Sequence, residues 1–218
     1  MTTSTDNSID ITYYVISMMD NEDRIQNIKH QKQKIEADIN IFEAVNGDNV
    51  DINNVEHQIV ADEFKSDDKH RKREIGCYLS HYYILKLIEQ SGNPDGYTVI
   101  FEDDVDIISN DFEPQLKKTL DAMSPHDFDI LFIDSISNNN GGKSVVSGVC
   151  KLTLDKPMWG IQAYIVKNKN IDRLLSATWI IDDAVDKKYE SAIRANKLTA
   201  YAFCPYLTKS IDTASTLW

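Results

Sequence analysis

Apolar residues fall along this chain in short dense runs, separated by polar stretches with helical spacing. The first run, residues 11–18 (ITYYVISM), is β-branched and aromatic and predicts a strand. A polar stretch follows with isoleucines at 25, 28 and 35. That sparse stripe predicts a helix over residues 21–38. Residues 41–45, 98–101, 129–133, 149–154, 160–166 and 198–203 predict further strands. Helical spacing recurs over residues 74–90, 111–123, 170–177 and 183–195. Asn46-Gly47 marks a turn, and Ser91-Gly92 stops the long apolar helix before it. Residues 1–10 read as a disordered lead, and residues 137–144 (SNNNGGKS) as a mobile loop expected to close over a ligand. The charge run at residues 67–73 reads as a solvated loop. Strands alternating with helices predict an α/β fold, a mostly parallel sheet with helices on both faces, in a single domain over residues 11–218.

Bulk composition narrows the function classes. The chain has 218 residues, enough for one large domain with a full core. Its net charge of −12 argues against nucleic acid as a partner, because neutralising phosphates needs a basic face. The three cysteines, Cys77, Cys150 and Cys204, form no CxxC pair, so neither a zinc motif nor a disulfide framework is expected. No run is long and apolar enough to predict a transmembrane segment. Together with the polar first ten residues, this predicts a cytoplasmic enzyme.

The chemistry concentrates at residues 98–105, TVIFEDDV. A buried strand there runs into three consecutive carboxylates, Glu102, Asp103 and Asp104. Such groups repel one another unless a positive charge sits among them. A hard divalent cation held by oxygen ligands is the natural candidate, and strand carboxyl ends are where open α/β sheets bind ligands. Glu102 and Asp104, two apart on an extended chain, are expected to point to one side. A solvated acidic turn is the bland alternative.

Other segments carry weaker signals. Gly141-Gly142-Lys143-Ser144 lacks the leading glycine of a phosphate loop, since position 137 is serine. His81 lies one helical turn from Cys77 and two from Glu74, on one face that either packs in the core or touches ligand. Arg24 follows the first strand, where a guanidinium fork suits phosphate, although a surface ion pair would equally account for it. A second acidic cluster, Asp182, Asp183 and Asp186, follows an apolar pair. It either caps a helix or accepts a proton from an incoming hydroxyl.

Several segments in order resemble the family 25 glycosyltransferases, enzymes of lipooligosaccharide assembly and collagen hydroxylysine galactosylation. They are Tyr14 to Met18 with Arg24, then FEAVNG at residues 42–47, then REIGCYLSH at residues 73–81. IFEDDV at residues 100–105, WGIQAYIV at 159–166, Ile181-Asp182 and CPYL at 204–207 complete the series. The resemblance covers roughly residues 12–215 and implies a GT-A type fold and a UDP-sugar donor, UDP-galactose or UDP-glucose. It also implies inversion at the anomeric carbon and a Mn²⁺ or Mg²⁺ ion on Asp104 and Glu102. By the same resemblance Ser17, Arg24, Asn46, Glu74, His81, Glu102 and Asp103 surround the nucleotide sugar. Asp182 is then the expected base, with Asp183 and Glu74 behind it. The acceptor is a glycan or a hydroxylysine in a collagen-like protein. A carbohydrate- or nucleotide-binding protein without turnover is the alternative. A sugar nucleotidyltransferase is disfavoured, because no glycine-rich, lysine-bearing loop opens the chain.

Overall fold

The computed structural model describes residues 9–52, 58–64, 66–134, 142–152, 154 and 156–211. The chain runs β1 (Ile11–Ser17), α1 (Glu22–Lys32), β2 (Ile39–Glu43), α2 (Asp68–Gln90), β3 (Tyr97–Glu102), β4 (Val105–Ile107) and α3 (Phe112–Met123). It continues through β5 (Ile130–Phe132), β6 (Ser144–Val146), β7 (Val149–Lys151), β8 (Ala163–Lys167), α4 (Ile171–Ala177), α5 (Val185–Arg194), β9 (Ala200–Phe203) and β10 (Thr208–Ser210). One eight-stranded sheet has the order β2-β1-β3-β8-β5-β9-β7-β6, and β10 pairs with β4 in a separate ribbon. Strand pairings run β2, β1, β3, β5, β9 and β6 in one direction, with β8 and β7 opposed. This is the mixed, mostly parallel sheet that the alternation of elements predicts.

The period of two in each strand builds two cores. On β3, Val99 and Phe101 enter one core and Ile100 enters the other. The first core holds Phe112, Leu116, Leu120 and Met123 of α3 with Ile28 of α1. The second holds Ile75, Tyr78 and Leu85 of α2, Leu174 of α4 and Tyr189 of α5. Helices therefore cover both faces, and β3, β5 and β8 are buried along their whole lengths.

Five expectations need correction. The charge run at 67–73 is not a loop but the first turns of α2, capped by Asp67, whose side chain accepts from His70 N at 3.0 Å. Charged residues suit the exposed start of a helix whose later turns are buried. The first helix ends at Lys32 rather than Asp38, and Ile35 packs into the core from beyond it. The strand expected from Gly160 starts at Ala163, because Gly160 takes φ +76°, far from the extended geometry of a regular strand. The last predicted strand ends at Phe203, yet β10 follows it and returns to pair with β4. Asp10, assigned to the disordered lead, accepts from Tyr97 N at 2.9 Å. Most of the loop expected at 137–144 lies outside the described residues, and Ser144 opens β6.

Candidate active site

The site is built at the carboxyl ends of β1 and β3, parallel neighbours that stand second and third from one edge of the sheet. Glu102 is the last residue of β3, and the chain turns at Asp103 and Asp104 before β4 begins. The extended alternation expected for Glu102 and Asp104 is therefore broken by a turn. That turn is pinned from two sides. Asn27 Nδ2, on α1, donates to the backbone oxygens of Asp103 at 2.9 Å and Val105 at 2.8 Å. Ile211 N, beyond β10, donates to Asp104 O at 2.8 Å.

All three carboxylates are buried, and the chain supplies its own countercharge. Arg24 Nη1 lies 3.0 Å from Asp103 Oδ1 and 3.3 Å from Asp104 Oδ2, with the arginine side chain only 4% exposed. Arg24, in the first turn of α1, thus belongs to the acid cluster rather than reaching into open space. Burial raises the Asp103 carboxyl, against the lowering effects of a hydrogen bond from Ser17 and the Arg24 charge. Ser17 also accepts from Met19 N at 3.1 Å, so it braces the turn from the end of β1. Burial, followed by the Glu102 charge, pushes Asp104 up to about 7, despite Arg24. One arginine against three carboxylates leaves the cluster electronegative. Asp104 Oδ1 is buried with no hydrogen-bond partner. An orphaned carboxylate oxygen in an acidic pocket fits a hard divalent cation.

Helix α2 brings its own residues to the cluster. Gly76 lets the helix approach the turn after β2, since a Cβ there would meet Val45 O at 2.6 Å. Ser80 Oγ accepts from Val45 N at 2.8 Å and fixes the same contact. His81, 1% exposed, lies with Nε2 3.3 Å from Glu102 Oε1 and Nδ1 2.9 Å from Tyr164 Oη. Both ring nitrogens are thereby engaged, so His81 orients Glu102 and does not face open space. Cys77, His81 and Glu102 place donor atoms within 4.8 Å of one another. Burial, and then Glu102 and Asp186, raise the Cys77 thiol well above its usual range. A sulfur ligand is soft, so for a hard divalent cation the carboxylate oxygens are the better donors.

A cleft opens from this cluster. Glu74, Cys77, Glu102, Gly160, Gln162, Val185 and Asp186 line it. Burial raises Glu74, and the charges of Asp183 and Asp186 raise it further. Asp186 Oδ2 accepts from Gly160 N at 3.0 Å. Burial raises Asp186 as well, against that hydrogen bond, with Glu102 a smaller contributor in the same direction. Asp182 is placed differently. Its Oδ1 accepts from Lys188 Nζ at 2.6 Å, and with Asp183 it lines a neighbouring cleft beside Gln58 and Glu63. Asn46 is exposed and accepts from Asp48 N at 2.9 Å in a separate hollow with Met18, Asp20 and Arg73. The structure so brings together Ser17, Arg24, Glu74, His81 and the acid triplet, and leaves Asn46 and Asp182 at neighbouring surfaces. Asn27, Tyr164, Gly160 and Asp186 are added to the site. Asp186 was legible only as the third acid of its cluster, and Asn27 carried no signal at all.

The family model for glycosyltransferase family 25 (LPS biosynthesis protein) matches residues 10–188, most of the chain. The chain belongs to glycosyltransferase family 25. No curated protein matches it at a significant level. Among solved structures it is similar to a glycosyltransferase involved in the glycosylation of the major capsid of PBCV-1. That likeness has a TM-score of 0.51 at 7% identity, over 94% of this chain and 96% of the other, and it speaks to the fold. A197 from STIV, 12% identical over 95% of this chain and 87% of the other, has a TM-score of 0.43, too low to bear on the fold. The family 25 chain is thus an α/β glycosyltransferase, consistent with a GT-A-like fold. No helix among its described residues is long and apolar enough to cross a membrane.

Proposed function

We propose that this family 25 glycosyltransferase moves a hexose from a UDP-sugar, galactose or glucose, to an acceptor hydroxyl with inversion, and that it needs Mn²⁺ or Mg²⁺. The observation that carries the reading is the unpartnered Asp104 Oδ1, buried in an electronegative turn that follows Glu102, a residue of the cleft wall. Asp104 and Glu102 are the residues that would hold the ion. When bound, the ion supplies Lewis-acid stabilisation of the charge that develops on the diphosphate leaving group. Arg24, tied to both Asp103 and Asp104, keeps the turn from opening as its carboxylates ionise. His81 and Tyr164 hold Glu102 in one orientation, so the donor meets a preorganised wall.

The attacking hydroxyl needs a base on the far side of the sugar from the leaving group. Asp182, the base implied by resemblance, would first have to leave Lys188. Asp186 shares the cleft with Glu102, and burial makes it more basic than an exposed aspartate. Asp186 is therefore the favoured base, with Asp182 and Asp183 at the outer rim. Asp186→Asn should lower kcat by roughly 10²–10⁴ while leaving UDP affinity within about threefold, as loss of a general base does. Asp182→Asn should lower kcat by less than about tenfold. Transfer from UDP-galactose and UDP-glucose, with Mn²⁺ and with chelator, reads both variants. The reverse ranking would return the base to Asp182, and no transfer or hydrolysis by the wild type with either donor would contradict the reading.

A further inference from the structure

We propose that Trp159 is a stacking platform for a saccharide acceptor, next in the chain to Gly160, which lines the cleft with Asp186. The inference rests on the transfer reading above and names its acceptor class. Trp159 is 64% exposed, the most exposed of the large apolar side chains among the described residues. Its backbone is nonetheless fixed on both sides to α5. Met158 N donates to Glu190 Oε2 at 2.9 Å, and Gly160 N donates to Asp186 Oδ2 at 3.0 Å. Lys187 Nζ donates to Met158 O and also lies 3.6 Å from the centroid of the Trp159 ring. The backbone on either side of the indole is thus held in place while most of the ring stays open to water, which leaves an aromatic face available to a ligand.

The geometry selects what binds. An aromatic face is electronegative, and the C–H face of a pyranose is apolar and weakly positive. A sugar ring stacked there lies next to Gly160, whose N–H is held by Asp186. Its edge hydroxyls then stand beside the proposed base. A hydroxylysine side chain suits the platform less well. Its ammonium would approach a ring that already carries the Lys187 ammonium, and like charges would meet.

Saturation-transfer NMR with lactose and methyl β-galactoside, in UDP and Mn²⁺, tests the platform on wild type, Trp159→Ala and Trp159→Phe. UDP affinity, measured separately by calorimetry, reports on the donor site and on folding. The expected result is saccharide binding that weakens about tenfold or more in Trp159→Ala, as loss of a central aromatic contact does, and is partly restored in Trp159→Phe. UDP affinity should match wild type in both variants. Equal saccharide binding by wild type and Trp159→Ala would overturn the inference. So would absence of saccharide binding to wild type, or Trp159-dependent binding of a hydroxylysine peptide alone. Trp159-dependent saccharide binding without any UDP binding would support the platform while removing the transfer reading.

Discussion

Asp104 sets the charge balance of the site. Its carboxyl is pushed up to about 7, chiefly by burial and then by Glu102. The folded pKa lies above the unfolded value, so the metal-free protein loses stability as pH rises from about 4 through about 7. Below the unfolded pKa the group is protonated in both states and contributes no difference. In chelator, Asp104→Asn should therefore raise Tm at pH 8 by roughly 5 °C and change it little at pH 4. Differential scanning fluorimetry across that range checks it. A lower Tm for the variant at pH 8 would mean that the ionised carboxylate is already satisfied. The triplet itself was plain in the sequence, because three acids after an apolar run are conspicuous. Its countercharge was not, since Arg24 is 79 residues away from Asp103 and only folding shows that the guanidinium is committed to the cluster.

At the scale of elements, the site depends on three pieces of chain converging on one turn. Asn27 of α1 holds the turn by two hydrogen bonds, and Asn27→Ala leaves two buried carbonyls short of a donor. Urea denaturation should show a loss of about 1–3 kcal/mol, and Mn²⁺-dependent UDP affinity should fall with it. Unchanged affinity at reduced stability would separate the turn from the ligand. Gly76 controls how closely α2 approaches. Gly76→Ala drives a Cβ against the backbone of Val45 and Gly47, so α2 and its Glu74, Cys77 and His81 must shift. A cost of about 1–3 kcal/mol is expected, and a value under about 0.5 would show that the loop yields instead. Most elements were legible from their periods of two and 3.6. The charged, mostly basic start of α2 was not, because charge alone does not distinguish an exposed helix turn from a loop. Nor was β10, whose three residues, Thr-Lys-Ser, gain a strand only through pairing with β4.

For the whole molecule, the sheet order explains where the chemistry lies. β1 and β3 run parallel and end together, and β8 turns the sheet antiparallel at that point. α2 and α5 cover one face and carry the cleft's carboxylates and Trp159's supports, while α1 brings Arg24 and Asn27 from the end of β1. Long-range convergence of this kind has no local signature. This is why Asp182 stood out in the sequence while Asp186, four residues on, proves to share the cleft with Glu102. The central claim is that the acid turn ending β3 holds a divalent cation and, with it, a nucleoside diphosphate. Calorimetry of UDP binding to the wild-type chain, with Mn²⁺ and then with chelator, and to Asp104→Ala with Mn²⁺, tests it most directly. The account predicts saturable UDP binding with Mn²⁺ and at least about tenfold weaker binding both in chelator and in the variant. UDP affinity that is the same in all three conditions would contradict it.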